Sequence, residues 1–167
     1  LGVVSEQGHR VEDLGAEMLD GPFDAVFVAV GAHLSTRIDI PNQDASRVMD
    51  AVEFLRGAAS GTQAPLAGRV AVYGGGNTAM DAARVARRMG ADDTVIVYRR
   101  TREQMPAHES EAQDAEEEGI RINWLRTISS MGDADLTVEI QELDESGRPH
   151  GTGRFETLEA DTVILAL

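Results

Sequence analysis

The sequence predicts an α/β fold, a central parallel sheet with helices, joined to an antiparallel β-meander. Three observations carry this. Phe23 to Val30, Arg69 to Tyr73, Thr94 to Tyr98 and 162–167 are short apolar runs, the pattern of strands buried on both faces. Two of them bracket a helical stretch with an alanine face, Ala79, Ala82, Ala83 and Ala86, which makes a βαβ unit of about 30 residues. Near the end, Leu136, Val138 and Ile140 alternate with polar residues, as in a sheet buried on one face.

Residues 1–33 read as strand, helix, strand. Val11, Leu14 and Met18 have helical spacing, closed by Gly21-Pro22, and the run Phe23 to Val30 ends at Gly31. The polar stretch 34–47, around Ile40-Pro41-Asn42-Gln43-Asp44, reads as a linker. Val48, Val52 and Leu55 predict a helix over 48–58. The strand 69–73 is followed by the turn Gly74-Gly75-Gly76, a helix over 77–89 closed by Gly90, and the strand 94–98, dense in β-branched residues. A helix over 105–118 ends at Gly119 and feeds a strand over 120–125. Turns at 131–135 and 145–153 separate the strands of the meander.

One echo runs through the chain. Residues 24–30 and 161–167 share the pattern Asp-x-Val-apolar-apolar-Ala-apolar. Either the match is chance, or two equivalent strands bracket an inserted domain.

Composition narrows the chemistry. The 167 residues suit one domain, with 42% apolar content for a core. All 15 basic residues are arginine, against 29 acids, for a net charge of −14. Without lysine there is no Schiff base and no P-loop phosphate lysine. Without cysteine there is no thiol nucleophile, disulfide or iron–sulfur ligand in this chain. The acidity argues against nucleic acid or an anionic membrane as partner. The four histidines form no ligand-spaced pair, so no metal site is expected. No run approaches the ~18 apolar residues of a membrane span and no leader opens the chain, so a cytoplasmic protein is expected. The start at Leu1 and the stop within an apolar run are what a piece of a longer protein would show.

Gly74-x-Gly76-x-x-Ala79 follows a strand and opens a helix, the context of the dinucleotide fingerprint of a Rossmann-like, NAD(P)-binding domain. Gly74 and Gly75 form the turn, and Gly76 admits a pyrophosphate close to the backbone. The helix start at Asn77 and Thr78 offers it free N–H groups, while Ala79 lets helix and strand pack closely. The end of the second strand selects the cofactor. An NAD site carries an acid there, an NADP site an arginine for the 2′-phosphate. Here Arg99 and Arg100 follow Tyr98. Residues 84–102 hold six arginines and two acids in an otherwise acidic chain, and arginine's fork suits phosphate. Arg84, Arg87 and Arg88 are expected only to solvate their helix, like most of the acids over 103–118.

Val72-Tyr73-Gly74-Gly75-Gly76-Asn77-Thr78-Ala79-Met80-Asp81-Ala82-Ala83-Arg84, Val97-Tyr98-Arg99-Arg100 and Met105-Pro106-Ala107 resemble the small (beta) subunit of NADPH-dependent glutamate synthase and related flavoprotein oxidoreductases. The resemblance covers nearly the whole chain. It departs at Val30 and at Asn42-Gln43, where the family has threonine and a Gly-acid pair. It implies an NADPH domain inserted into an FAD domain: 1–33 a remnant of the FAD-binding domain, 34–160 the NADPH-binding domain, 161–167 a return strand to the FAD domain. It also implies FAD and iron–sulfur clusters held by other parts of the parent protein, and a large partner subunit. Glu111 matches a family glutamate and is a candidate to face the cofactor. The expected function is passage of hydride from NADPH to FAD, with no catalytic residue here and no activity of the isolated chain. The alternatives are a module that senses NADP(H) without turnover and a flavin-free dehydrogenase. The latter lacks a lysine or suitably placed histidine to act as acid.

Overall fold

A computed structural model of the chain describes residues 2–20, 23–29, 39–41 and 45–167. The chain divides into two compact units, Leu1–Ala32 and His33–Leu167. Val30, Gly31, Asn42-Gln43 and most of the expected linker lie outside the described residues.

Among its described residues the first unit contains one helix, α1 (Leu14–Asp20). It starts later than the apolar spacing predicts, because the Asp13 carboxylate accepts from the N–H groups of Gly15 and Ala16 and caps it there. Residues 23–29 do not form the expected buried strand. Among the described residues they join no ladder, and Phe27 is 92% exposed. A strand buried on both faces needs ladder partners, and the described part of this unit offers none.

The second unit begins with β1 (Val48–Asp50) and α2 (Ala51–Ser60), where the sequence predicts a single helix. Asp50 separates the two. Its carboxylate accepts from the N–H groups of Val52 and Glu53, so the helix cannot start earlier. Then come β2 (Arg69–Tyr73), α3 (Asn77–Arg88) and β3 (Asp93–Tyr98), as the βαβ pattern requires. A 3-10 turn at Arg102–Gln104 precedes α4 (Glu109–Glu117), which is shorter than expected because Pro106 keeps Met105 extended. The chain ends with β4 (Arg121–Trp124), β5 (Arg126–Met131), β6 (Asp135–Leu143), β7 (Pro149–Glu159) and β8 (Thr162–Leu165).

All strands of the five-stranded sheet are parallel, in the order β1-β8-β2-β3-β4, and β5-β6-β7 form an antiparallel sheet. Within 161–167, the segment Thr162–Leu165 forms β8, which is bonded to both β1 and β2.

Alternation along the apolar runs splits the core in two. Val70, Val72, Ile96 and Ile164 face the helices, against Phe54, Met80 and the alanine face of α3. Ala71, Tyr73, Val95, Val97 and Val163 face Ile128, Met131, Leu136 and Val138 on the antiparallel strands. The parallel sheet is therefore covered on both faces, and its functional edges are the loops at the strand ends. No described helix is long and apolar enough to cross a membrane.

Candidate functional site

The chain steps from β2 outward to β3 and β4, and later returns to β8 on the other side of β2. That reversal makes the C-terminal ends of β2 and β8 the switch point at which open α/β sheets bind ligands. The glycine turn stands there.

The three glycines differ in what holds them. Gly74 donates its N–H to the Val97 carbonyl (3.1 Å) and has φ 154°. A Cβ on it would collide with the Ala166 carbonyl beyond β8. A Cβ on Gly75 would enter the Tyr98 ring. Both are fixed by the fold itself. Gly76 is not. Its φ −91° and ψ 176° suit any residue, and no atom lies within 4 Å of where its Cβ would stand. It is the N-cap of α3 and makes no side-chain cap bond, although Ser or Asp would cap better. Among the described residues, the N–H groups of Gly76, Asn77 and Thr78 find no acceptor. Ala79 is fully buried beneath them.

The loop after β3 is strapped back onto this turn. Ala107 donates its N–H to the Gly75 carbonyl (3.1 Å), and His108 its N–H to Asn77 Oδ1 (2.9 Å). The Tyr98 hydroxyl donates to the Gln104 carbonyl (3.0 Å). The Asn77 side-chain oxygen thus holds the start of α4.

The arginines separate sharply. Arg84 is caged by Glu111 (3.1 Å), Asp114 (3.3 Å) and Glu118 (2.9 Å). Arg88 also takes Glu118, Arg87 donates to the carbonyls of Ala91 and Asp92, and Arg102 binds Glu109 and Glu116. Arg84 and Arg88 thus tie α3 to the acids over 111–118, where the sequence leads one to expect a solvated helix face. Among the described residues, Arg99, Arg100 and the hairpin residue Arg148 are the arginines whose guanidinium groups bond nothing. The expected cationic patch thus reduces to Arg99, exposed, and Arg100, half-buried, at the end of β3. Glu111, the cofactor-facing candidate, has its carboxylate on Arg84.

Two features had no signal in the sequence. The Tyr98 ring dictates Gly75. Leu125, at the corner between β4 and β5, has φ 54°, alone among the described non-glycine residues in the left-handed region. A cleft of about 750 Å³ at the opposite end of the strands is lined by Asp92, Asp93, Asp133, Asp135, Glu159 and Asp161, against the single cation Arg69. Its charge opposes phosphate.

Burial pushes the Glu118 carboxyl up, but the hydrogen bonds from Arg84 and Arg88 outweigh it, so it lies below the ordinary 4.5. The Arg126 hydrogen bonds hold Glu156 below that value too. Unfolded, both carboxylates take up protons near 4.5, before the folded ones do. Their stabilisation is therefore complete above about pH 4.5 and is lost as pH falls through the lowered folded values. Thermal melts should be level down to about pH 5 and fall below it. Arg84→Met should lower Tm at neutral pH by about 2–6 °C and reduce the acid-dependent part. An unchanged Tm would mean that α4 does not rely on this arginine.

Residues 4–167 match the pyridine nucleotide-disulphide oxidoreductase family. The chain belongs to that family. It is 36% identical over 171 residues to the beta subunit of the NADPH-Fe(3+) oxidoreductase of Geobacter sulfurreducens, covering 93% of this chain and 25% of that protein. It is 33% identical over 179 residues to the glutamate synthase [NADPH] small chain of Escherichia coli, covering 92% of this chain and 38% of that one. The chain therefore spans between a quarter and two-fifths of these relatives' lengths. The resemblance read from residues 72–84 and 97–107 stands on a relationship across the whole family match. FprA of Mycobacterium tuberculosis, solved in complex with NADPH, shares the fold, with a TM-score of 0.68, 19% identity, and coverage of 83% of this chain and 48% of that one.

Proposed function

We propose that this chain binds NADPH across the C-terminal ends of β2 and β3 and presents its nicotinamide to an FAD held elsewhere in a longer protein. The observation that supports this most is Gly76. The fold does not need a glycine there, whereas a pyrophosphate approaching the backbone does. In this reading the free N–H groups of Gly76, Asn77 and Thr78 receive the pyrophosphate. Arg99 and Arg100 hold the 2′-phosphate, and neither has to leave another partner to do so. Ala79 keeps α3 close to β2, and Gly74 and Gly75 shape the turn. Glu111 keeps one carboxylate oxygen on Arg84, which also holds Asp114 and Glu118.

When bound, NADPH supplies a hydride. The residues here bind and orient it, and none acts as an acid–base catalyst. FAD and iron–sulfur clusters fit other parts of the protein, since this chain has one glycine fingerprint and no cysteine. Residues 34–160 with β8 form the NADPH domain in this account. Residues 1–33 form part of an FAD domain, which would supply the ladder that 23–29 lacks. The relatives support this assignment, being oxidoreductase subunits named for NADPH and two to four times longer.

Calorimetry on the intact protein tests the site. NADP+ should bind about 10-fold or more tighter than NAD+. Equal affinities would sink the 2′-phosphate assignment. Anaerobic NADPH should then bleach the flavin. Tight NADP+ binding with no bleaching would favour a sensing module instead.

A further inference from the structure

Arg100 lies inside a closed ring of hydrogen bonds. Leu125 donates its N–H to the Arg100 carbonyl (3.2 Å), and its own carbonyl accepts from the Gln141 N–H (2.9 Å). From Gln141, β6 runs into the turn at 144–148, where the Gly147 carbonyl accepts from Gln104 Nε2 (2.9 Å). Gln104 lies in the 3-10 turn just beyond the two free arginines. The turn at 144–148 is itself set by Asp144, whose carboxylate accepts from the N–H groups of Ser146 and Arg148. The antiparallel sheet is thereby fastened at two points to the segment that carries Arg99 and Arg100.

The ring is not built for stability. Leu125 closes it in a left-handed conformation that branched side chains avoid. Gln104 Oε1 is buried without a partner, so this carboxamide sacrifices its acceptor to keep the Gly147 tie. Strain and unmet polar groups of this kind persist where they serve a site. What the ring fixes is the backbone beneath two long, flexible cations. A guanidinium on a fixed backbone loses less freedom when it closes on a phosphate.

We propose that Gln104, acting through Gly147 of the β6–β7 hairpin, is a positioning residue for NADP selectivity. It touches no ligand and holds the Arg99–Arg100 segment at the geometry the 2′-phosphate requires. This rests on the NADPH reading above.

Gln104→Met, close in volume, removes both the donor and the orphan acceptor. In the intact protein, calorimetry should show NADP+ affinity falling about 3- to 10-fold with NAD+ unchanged, and an equal or higher Tm. Gly147→Ala breaks the same contact from the other side, because its Cβ presses on Gln104 Nε2 and φ 76° disfavours a side chain. It should reproduce the loss of selectivity. An unchanged NADP+/NAD+ ratio in Gln104→Met, or equal losses for both nucleotides, overturns the proposal. A wild-type protein with no preference for NADP+ sinks the NADPH reading and this inference together.

Discussion

Replacing Arg99 and Arg100 together by alanine should weaken NADP+ binding about 10- to 100-fold and leave NAD+ binding nearly unchanged. The asymmetry follows from their surroundings. In a chain of 29 acids, four of the six arginines over 84–102 are bonded to carboxylates or carbonyls, and these two are not. Removing them orphans no acid and opens no cavity, so Tm should stay within a few degrees. Arg102→Ala is the control. It frees Glu109 and Glu116 beside the site, should cost stability, and should change the affinities for both nucleotides alike. Calorimetry in rising salt adds a further check, since loss of phosphate contacts should flatten the salt dependence of NADP+ binding. Equal loss of NADP+ and NAD+ in the double variant would refute the 2′-phosphate role.

The echoed runs mark how far the sequence could be read. Residues 24–30 and 161–167 carry one pattern, yet 162–165 forms β8 while 23–29 pairs with none of the described residues. Apolar periodicity reports burial in some sheet, and the ladder partners that make a strand are a tertiary fact. The βαβ unit was legible because strand, turn and helix are local and each carries its own signal. The division at Asp50 was legible in principle, because a carboxylate before an apolar stretch is a helix start. The fingerprint revealed where a ligand would sit but not which glycine serves it. Separating Gly76 from Gly74 and Gly75 required Ala166 and Tyr98, which are distant in sequence. The same holds for the arginines: six cations look alike in a row of letters, and only the acids over 109–118 and the carbonyls of Ala91 and Asp92 show which two remain free.

Gly76→Ser should abolish or strongly weaken binding of both nucleotides while leaving the protein at least as stable. Serine at this N-cap fits the observed φ and ψ, its Cβ meets no atom beyond the neighbouring residues, and its hydroxyl can accept from the N–H of Thr78 or Ala79. Relative to glycine it should add a few tenths of a kcal/mol at most. The same side chain stands where a pyrophosphate would approach, and its oxygen competes for the N–H groups the phosphate needs. Gly74→Ala should do the reverse, for its Cβ meets the Ala166 carbonyl and forces β2 and β8 apart. Its cost should be about 2–4 kcal/mol, read as a lowered Tm. Binding should then be lost only in proportion to unfolding. The pair separates ligand from fold at turn positions only two residues apart. Wild-type affinity in Gly76→Ser would remove the main support for a dinucleotide at this turn. A Tm collapse in Gly76→Ser would mean instead that the glycine serves the protein.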